Sequence, residues 1–214
     1  MAEMGARLGA GVGAESGAGV PAVSRRDRLR WDAEYARRGV ATDGVRLPAV
    51  FAGHADVVPH SGSALDLACG QGGTAVWLAE RGLEVRGLDV SPVAIAQAAD
   101  LAARHGVTGR CRFGVVDLDD GLPPGGPVDV VVCHRFRDPR LYQALIERLK
   151  PDGLILISVL SEIGGERGPY RAGPGELSAA FADLEPIAAG EGDGLAWLIG
   201  RRPKQPSAVT LGRS

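Results

Sequence analysis

Residues 65–73 read Leu-Asp-Leu-Ala-Cys-Gly-Gln-Gly-Gly, an apolar run that passes directly into a glycine-rich turn. A helical pattern begins at once after the turn. Glycines in this position let the backbone bend tightly and approach a ligand without a Cβ in the way. The stretch therefore predicts the end of a strand, a ligand-binding loop and the start of a helix.

From residue 64 onward, short apolar runs that end in Gly or Asp alternate with longer helical patterns. This alternation is typical of βαβ units and of a parallel sheet. A helix capped by Ser24 precedes this part of the chain. The predicted strands are 64–68, 84–88, 111–116, 128–133, 154–159, 184–189 and 195–200. The predicted helices are 25–38, 73–81, 92–105, 138–149 and 174–182, with one less regular helical stretch at 47–58.

The length of 214 residues suits one domain. We predict a single domain at 25–203 between a disordered Gly/Ala-rich tail at 1–24 and a flexible tail at 204–214. Within that domain, the predicted parts are a helical cover at 25–60, a cofactor-binding core at 64–159 and the C-terminal part of the sheet at 174–200.

Composition limits the partners that this chain can have. A formal net charge of -2 supplies no general attraction to nucleic acid or to an anionic membrane, so we expect neither as a partner. The histidines are scattered and the three cysteines form no close pair, which predicts no metal site and a cytoplasmic location. A small-molecule partner is the remaining expectation, and the oligomeric state stays open between a monomer and a homodimer.

Two further predicted strands end in a carboxylate, Asp89 and Asp117. A carboxylate after the second strand can accept hydrogen bonds from both hydroxyls of a ribose. A carboxylate after the third can accept from the exocyclic amine of an adenine. Since the carboxyl ends of parallel strands meet at one edge, the glycine turn and these two acids predict a crevice for an adenosine group.

An NAD(P)-binding oxidoreductase is the competing interpretation, because residues 70–75 also satisfy G-x-G-x-x-A with an acid about 20 residues later. Three features count against it. Asp66 lies inside the motif, where it can orient the loop and hold a cationic amino group. The third strand also ends in an acid, and the chain leaves no separate substrate domain.

The motifs at 66–73, at 89–92 (Asp-Val-Ser-Pro) and at 149–153 (Leu-Lys-Pro-Asp-Gly) resemble the signature segments of class I S-adenosylmethionine-dependent methyltransferases. The resemblance covers about residues 64–159. Residues 31–35 (Trp-Asp-Ala-Glu-Tyr), 79–82 and 171–176 resemble the tellurite-resistance and thiopurine-type branch. The fold implied is a Rossmann-like, doubly wound α/β fold whose seven-stranded sheet is mainly parallel, with an antiparallel last strand and helices on both faces.

The resemblance implies S-adenosylmethionine as cofactor, with Asp66 and the glycine loop at its methionine part, Asp89 at the ribose, and Asp117 with Leu118 at the adenine. Ala68 departs from the family pattern, which has glycine there. The complete set of predicted cofactor-binding residues is Trp31, Tyr35, Asp66, Ala68, Gly70, Gly72, Asp89, Val90, Asp117, Leu118 and Cys133. Trp31 and Tyr35 are four apart on one helical face, which suits either a lid over the cofactor or ordinary packing.

The sequence after the fourth predicted strand, Cys133-His134-Arg135-Phe136, lies where such methyltransferases place their acceptor. His134 is a candidate base and Arg135 a candidate contact for an anionic substrate or the methionine carboxylate. The alternatives are a polar residue that finishes a strand and a solvated loop residue. We therefore predict in-line methyl transfer to a small-molecule acceptor, with a cofactor-binding protein without catalysis as the second alternative.

Overall fold

The structure, a computed structural model, describes residues 22–40 and 44–204. The tails predicted at 1–24 and 204–214 fall outside this part of the chain, apart from residues 22–24 and Lys204.

Seven strands form one sheet: β1 (Ser63–Leu67), β2 (Glu84–Asp89), β3 (Cys111–Val115), β4 (Val128–His134), β5 (Leu149–Leu160), β6 (Glu185–Gly192) and β7 (Leu195–Arg201). Their order across the sheet is β3-β2-β1-β4-β5-β7-β6. The pairs among β1 to β5 are parallel, and β7 is antiparallel to both of its neighbours. The predicted seven-stranded, mainly parallel sheet with an antiparallel last strand is confirmed.

The helices are α1 (Ala22–Arg38), α2 (Ala49–Ala52), α3 (Gly73–Glu80), α4 (Pro92–Arg104), α5 (Tyr142–Arg148) and α6 (Glu176–Ala180). Single 3-10 turns lie at Ala55–Val57, Leu118–Asp120 and Pro139–Leu141. Two apolar cores place these helices on opposite faces of the sheet. Leu65 and Leu67 of β1 pack with α5 and α6, whereas Ala64 packs with α2, α3 and α4. This alternation along β1 is the two-residue period of a strand that is covered on both sides.

Several element boundaries differ from those predicted. Helix α1 begins at Ala22, so Ser24 lies inside it and is not its N-cap; nothing in Ala22 and Val23 breaks a helix. The predicted helix at 138–149 divides at Leu141, because Asp138 and Pro139 first start a 3-10 turn. Strand β5 begins at Leu149, which pairs with Val128 before a register shift.

Gly72 brings the loop after β1 into close contact with α4. Its φ is +79°, and a Cβ there would lie 2.7 Å from the Cβ of Ala98. The backbone carbonyl of Gly72 accepts the first hydrogen bond of α3, from the amide of Val76 at 2.8 Å. A side chain at position 72 would therefore strain the loop and push it off α4.

Gly72→Ala tests this close approach, with Gly106→Ala as the matched control. Gly106 also has a positive φ, +70°, but no atom would lie within 4 Å of its Cβ. We expect Gly106→Ala to lower the free energy of unfolding by roughly 1 to 2 kcal/mol, through backbone strain alone. Gly72→Ala adds overpacking and is expected to cost roughly 2 to 5 kcal/mol in urea denaturation. Equal losses would contradict the packing of α4 on this loop.

Candidate active site

A cavity of about 340 Å³ lies at the carboxyl ends of β1, β2, β3 and β4. This edge is where open α/β sheets bind their ligands. The predicted residues that line it are Trp31, Tyr35, Ala68, Gly70, Asp89, Val90, Asp117, Leu118, His134 and Arg135. Asp66, Gly72 and Cys133 are buried and are not part of its lining. Most of the residues predicted from separate segments are therefore neighbours in space.

Asp89, at the end of β2, connects the loop after β1 with the start of α4. Its side chain is 5% exposed, and its Oδ2 accepts a hydrogen bond from the amide of Gly70 at 2.9 Å. Its Oδ1 accepts from the amide of Ser91, also at 2.9 Å. Each carboxylate oxygen has a second lone pair, so both can also accept from a ligand hydroxyl. Burial raises the pKa of Asp89, and the hydrogen bonds from Ser91 and Gly70 oppose this shift.

Asp117 caps the turn that follows β3. Its Oδ1 accepts from the amide of Asp119 at 3.0 Å and so starts the 3-10 turn Leu118–Asp120. Leu118 is 6% exposed and gives the cavity an apolar wall beside the carboxylate. A hydrogen-bond acceptor for the amino group and an apolar surface for the ring are what the binding of an adenine requires.

Asp66 has an environment unlike that of the other acids. It is 3% exposed, and within the described part of the chain its Oδ2 has no hydrogen-bond partner. Burial and then the neighbouring charge of Asp89 raise the pKa of Asp66 to about 8. The carboxyl group is therefore mostly protonated at neutral pH. That Asp66 holds the methionine part of the cofactor stays a prediction.

Helix α1 covers the cavity through one face. Trp31 and Tyr35 stack with their ring centroids 5.8 Å apart, and a Cβ on Gly70 would lie 2.8 Å from the Tyr35 hydroxyl. Asp27 lies one helical turn before Trp31 and also lines the cavity. No sequence motif includes Asp27, although its spacing of four from Trp31 predicts the same helical face.

Three polar contacts fix α1 to the loop and to α4. The Ser91 hydroxyl donates to Asp32 Oδ1 at 2.5 Å. The side-chain amide of Gln97 donates to the Tyr35 carbonyl at 3.2 Å, and that of Gln71 donates to the Gly39 carbonyl at 2.7 Å. Because Ser91 directly follows the Asp89-Val90 pair, the cover is attached at the cavity itself.

His134 ends β4 at the other end of the cavity. Its Nδ1 lies 2.6 Å from the hydroxyl of Ser158, which is fully buried. Burial, and then the charge of Arg135, lowers the pKa of His134 to about 4. The imidazole is therefore neutral above about pH 5. It can accept or donate a hydrogen bond and carries no charge at neutral pH.

Two non-glycine residues of the lining have a left-handed backbone. Ala68 has a φ of 50° and Arg135 a φ of 58°. The amide of Arg135 donates to the Ser158 carbonyl at 2.8 Å, and this bond helps to hold the strained turn. Such conformations cost about 1 to 3 kcal/mol and are concentrated at functional sites. The left-handed backbone at Ala68 explains why the family pattern has glycine there, because glycine adopts this conformation without strain.

The remaining candidates for chemistry are inert or absent in the described chain. Burial raises the pKa values of the Cys69 and Cys133 thiols, so neither is a thiolate at neutral pH. Among the described residues, no three His, Cys, Asp or Glu side chains are grouped as metal ligands. In the same part of the chain, no helix has the length and apolar character needed to cross a membrane.

A second cavity, of about 740 Å³, adjoins the first. It lies against α2, the start of α3 and the segment from residue 44, and it shares His134 and Arg135 with the first cavity. Arg46 lines it as well. Arg46 is an isolated arginine in an irregular segment, so no periodic pattern or motif in the sequence indicates it.

The fold and the first cavity agree with the class of protein that the sequence resembles. The sheet is Rossmann-like, and the glycine loop, Asp89 and Asp117 lie at consecutive strand ends around one cavity, as the resemblance to class I methyltransferases implies. Residues 64–153 match the family described as a methyltransferase domain. This match covers 90 of the 214 residues, and the recognition of a class I, S-adenosylmethionine-dependent methyltransferase made from the sequence is confirmed.

One curated relative has a different overall size. The chain is 35% identical over 112 residues to the ribosomal RNA small subunit methyltransferase C of Alcanivorax borkumensis. This match covers 48% of the present chain and 33% of that protein, so the chain spans only a third of its relative.

Two solved structures have the same fold. TehB from Haemophilus influenzae superimposes with a TM-score of 0.65 at 17% identity, covering 80% of this chain and 67% of that one. The magnesium protoporphyrin IX methyltransferase ChlM from Synechocystis PCC 6803, solved with bound SAH, gives a TM-score of 0.62 at 17% identity. The match covers 84% of this chain and 99% of ChlM. The likeness to TehB fits the branch predicted from the sequence.

The raised pKa of Asp66 makes stability depend on pH. The folded chain keeps this proton up to about pH 8, whereas an unperturbed aspartate releases it near pH 3.8. The folded state therefore binds more protons between these values, and the free energy of unfolding falls as the pH rises through them. Asp66→Asn removes the titrating carboxyl group and therefore its contribution to the pH dependence of the free energy of unfolding. We expect the variant to be the more stable protein at pH 8 by roughly 1 to 3 kcal/mol.

Urea denaturation of both proteins at pH 5, 6.5 and 8 measures the effect. Asp89 also has a raised pKa and interacts with Asp66, so the difference between the two pH profiles reports the titration of Asp66 together with its coupling to Asp89. Parallel pH profiles for the two proteins would contradict the account of Asp66 as a buried, protonated acid.

Proposed function

We propose that this chain binds S-adenosylmethionine in the first cavity and transfers its methyl group to a small-molecule acceptor. The observation that carries the proposal is the common cavity formed by the glycine loop, Asp89 and Asp117, which ends at His134 and Arg135. Its volume of about 340 Å³ lies in the range typical of small-molecule sites, about 300 to 1,000 Å³.

The residues present fit such a cofactor. The Asp89 oxygens keep free lone pairs for the ribose hydroxyls, and Asp117 beside Leu118 suits the adenine. Gly70 lines the cavity with a left-handed backbone, φ +54°, and a Cβ there would lie 2.8 Å from the Tyr35 hydroxyl, so glycine suits the close approach of this loop to a ligand. Trp31 and Tyr35 cover the cavity and restrict access of water.

When bound, the cofactor supplies an electrophilic methyl group on a positively charged sulphur. Because the positive charge is lost in the transition state, the protein gains most by orienting the acceptor and by excluding water. Tyr35 is 9% exposed and closes one side, while Phe136 lines the acceptor end. His134 lies at that end as a neutral imidazole that can hydrogen bond to the acceptor.

A small acceptor suits this chain better than RNA. The formal net charge is -2, which gives no general attraction to a phosphate backbone. Next to the acceptor end lies a cavity of about 740 Å³, a size that accommodates a small molecule. The RNA methyltransferase that the chain resembles is matched over only a third of its own length.

Release of S-adenosylhomocysteine from S-adenosylmethionine tests both parts of the proposal. We expect thiols, phenols and carboxylic acids in an acceptor panel to stimulate release, and ribosomal RNA not to do so. Asp89→Asn should raise the KM for the cofactor roughly tenfold, since it removes a charged acceptor. Asp120→Ala, the control, removes an exposed acid that is not part of the cavity lining and should keep the wild-type KM.

Three results would contradict the proposal. Turnover with RNA alone would overturn the small-molecule acceptor. Cofactor binding without turnover on any acceptor would favour a binding protein without catalysis. An unchanged KM in Asp89→Asn would remove the assignment of the first cavity to the cofactor.

A further inference from the structure

The second cavity has a mainly apolar wall. Leu47, Val50 and Ala55 contribute from the segment before the sheet, Trp77 from α3 and Leu195 from β7. Trp77 is half-buried and offers an aromatic surface, with the Arg81 guanidinium stacked on its ring at 5.3 Å. A ligand that fills this space must therefore have an apolar body.

Arg46 and Arg135 are the charged side chains among the described residues of this wall. No Asp or Glu is among those residues, which begin at Gly44 on this side of the cavity. Both arginines are exposed, and no ion pair or side-chain hydrogen bond to another described residue involves either guanidinium. Arg46 and Arg135 differ in this from Arg37, Arg137 and Arg140, whose guanidinium groups pair with acids.

The second cavity also leads to the reaction centre. Arg135 and His134 line both cavities, so a molecule in the second cavity contacts the same two residues that end the cofactor cavity. The neutral His134 adds no charge to this junction and, unlike a carboxylate, does not repel an anion.

We propose that the second cavity is the acceptor site and that it selects organic anions with an apolar body over cationic or neutral molecules of the same shape. This inference rests on the proposed function. The ionised oxygen or sulphur of the acceptor forms a bond to the methyl carbon as the bond from that carbon to sulphur breaks. The electron pair of the broken bond stays on sulphur, and an ionised acceptor has no proton to lose.

Binding of unreactive probes separates this inference from catalysis. The probes are 4-tert-butylbenzoate, 4-tert-butylbenzamide and 4-tert-butylbenzylammonium, which share an apolar body and differ in charge. Each is titrated by ligand-observed NMR into the full chain, with and without S-adenosylhomocysteine. We expect the benzoate to bind more tightly than the other two.

Arg46→Gln identifies the site, because Arg46 lines the second cavity and not the first. We expect it to weaken benzoate binding roughly fivefold, the scale of an exposed ion pair. Arg112→Gln is the matched control; Arg112 is an exposed arginine of β3 that lines neither cavity, so its loss should leave the affinity unchanged. Binding of S-adenosylhomocysteine should be the same in both variants.

Three outcomes would overturn the inference. They are equal binding of the ammonium and benzoate probes, benzoate affinity unchanged in Arg46→Gln, and no benzoate binding to the wild-type chain. Failure of S-adenosylhomocysteine to bind would instead overturn the proposed function. If S-adenosylhomocysteine does not bind, the titrations without it still show which probe the second cavity prefers. Failure of the proposed function and failure of this inference can therefore be told apart.

Discussion

The Asp89 carboxylate is the contact on which the architecture of the site depends. One oxygen holds the amide of Gly70 in the loop after β1, and the other holds the amide of Ser91 at the start of α4. The Ser91 hydroxyl in turn donates to Asp32 of α1 and accepts from the amide of Ala94. The same carboxylate that is proposed to bind the ribose therefore also sets the positions of the glycine loop, α4 and the cover helix.

Charge is distributed unequally along the active site. The cofactor end contains acids, with Asp89 and Asp117 in the lining and a protonated Asp66 buried nearby. The end proposed for the acceptor has a neutral imidazole, and among the described residues that line the second cavity the charged ones are Arg46 and Arg135. An acidic end suits the hydroxyls and amines of an adenosine, whereas the opposite end suits an anion. The polarity of the site thus follows the polarity of the proposed reactants.

The sequence predicts the sheet well because strand burial and helix period are both local signals. The seven strands were all found from the pattern, whereas the direction of the last one followed from the family resemblance. Most of the candidate site residues meet in one cavity, whose place could be predicted because glycine and aspartate at strand ends have a chemical reason that can be read without a structure. Boundaries were less accurate where pairing extends a strand, as at Leu149, or where a helix begins before the residue predicted to cap it, as at Ala22.

Other features depend on tertiary structure and leave no trace in the pattern. Asp66 belongs to the motif, yet its separation from the cavity lining follows from its burial in the sheet. Arg46 is remote in sequence from His134 and meets the same cavity only because the segment before β1 folds back over α3. The left-handed backbone at Ala68 and Arg135 is likewise a property of the folded turn.

Calorimetric titration of the purified chain with S-adenosylhomocysteine and, separately, with NADH tests the central claim most directly. The account predicts micromolar binding of S-adenosylhomocysteine and no binding of NADH, because the strand-end acids fit one adenosine and the chain has the methyltransferase domain. Binding of NADH alone would contradict the account and would favour an oxidoreductase.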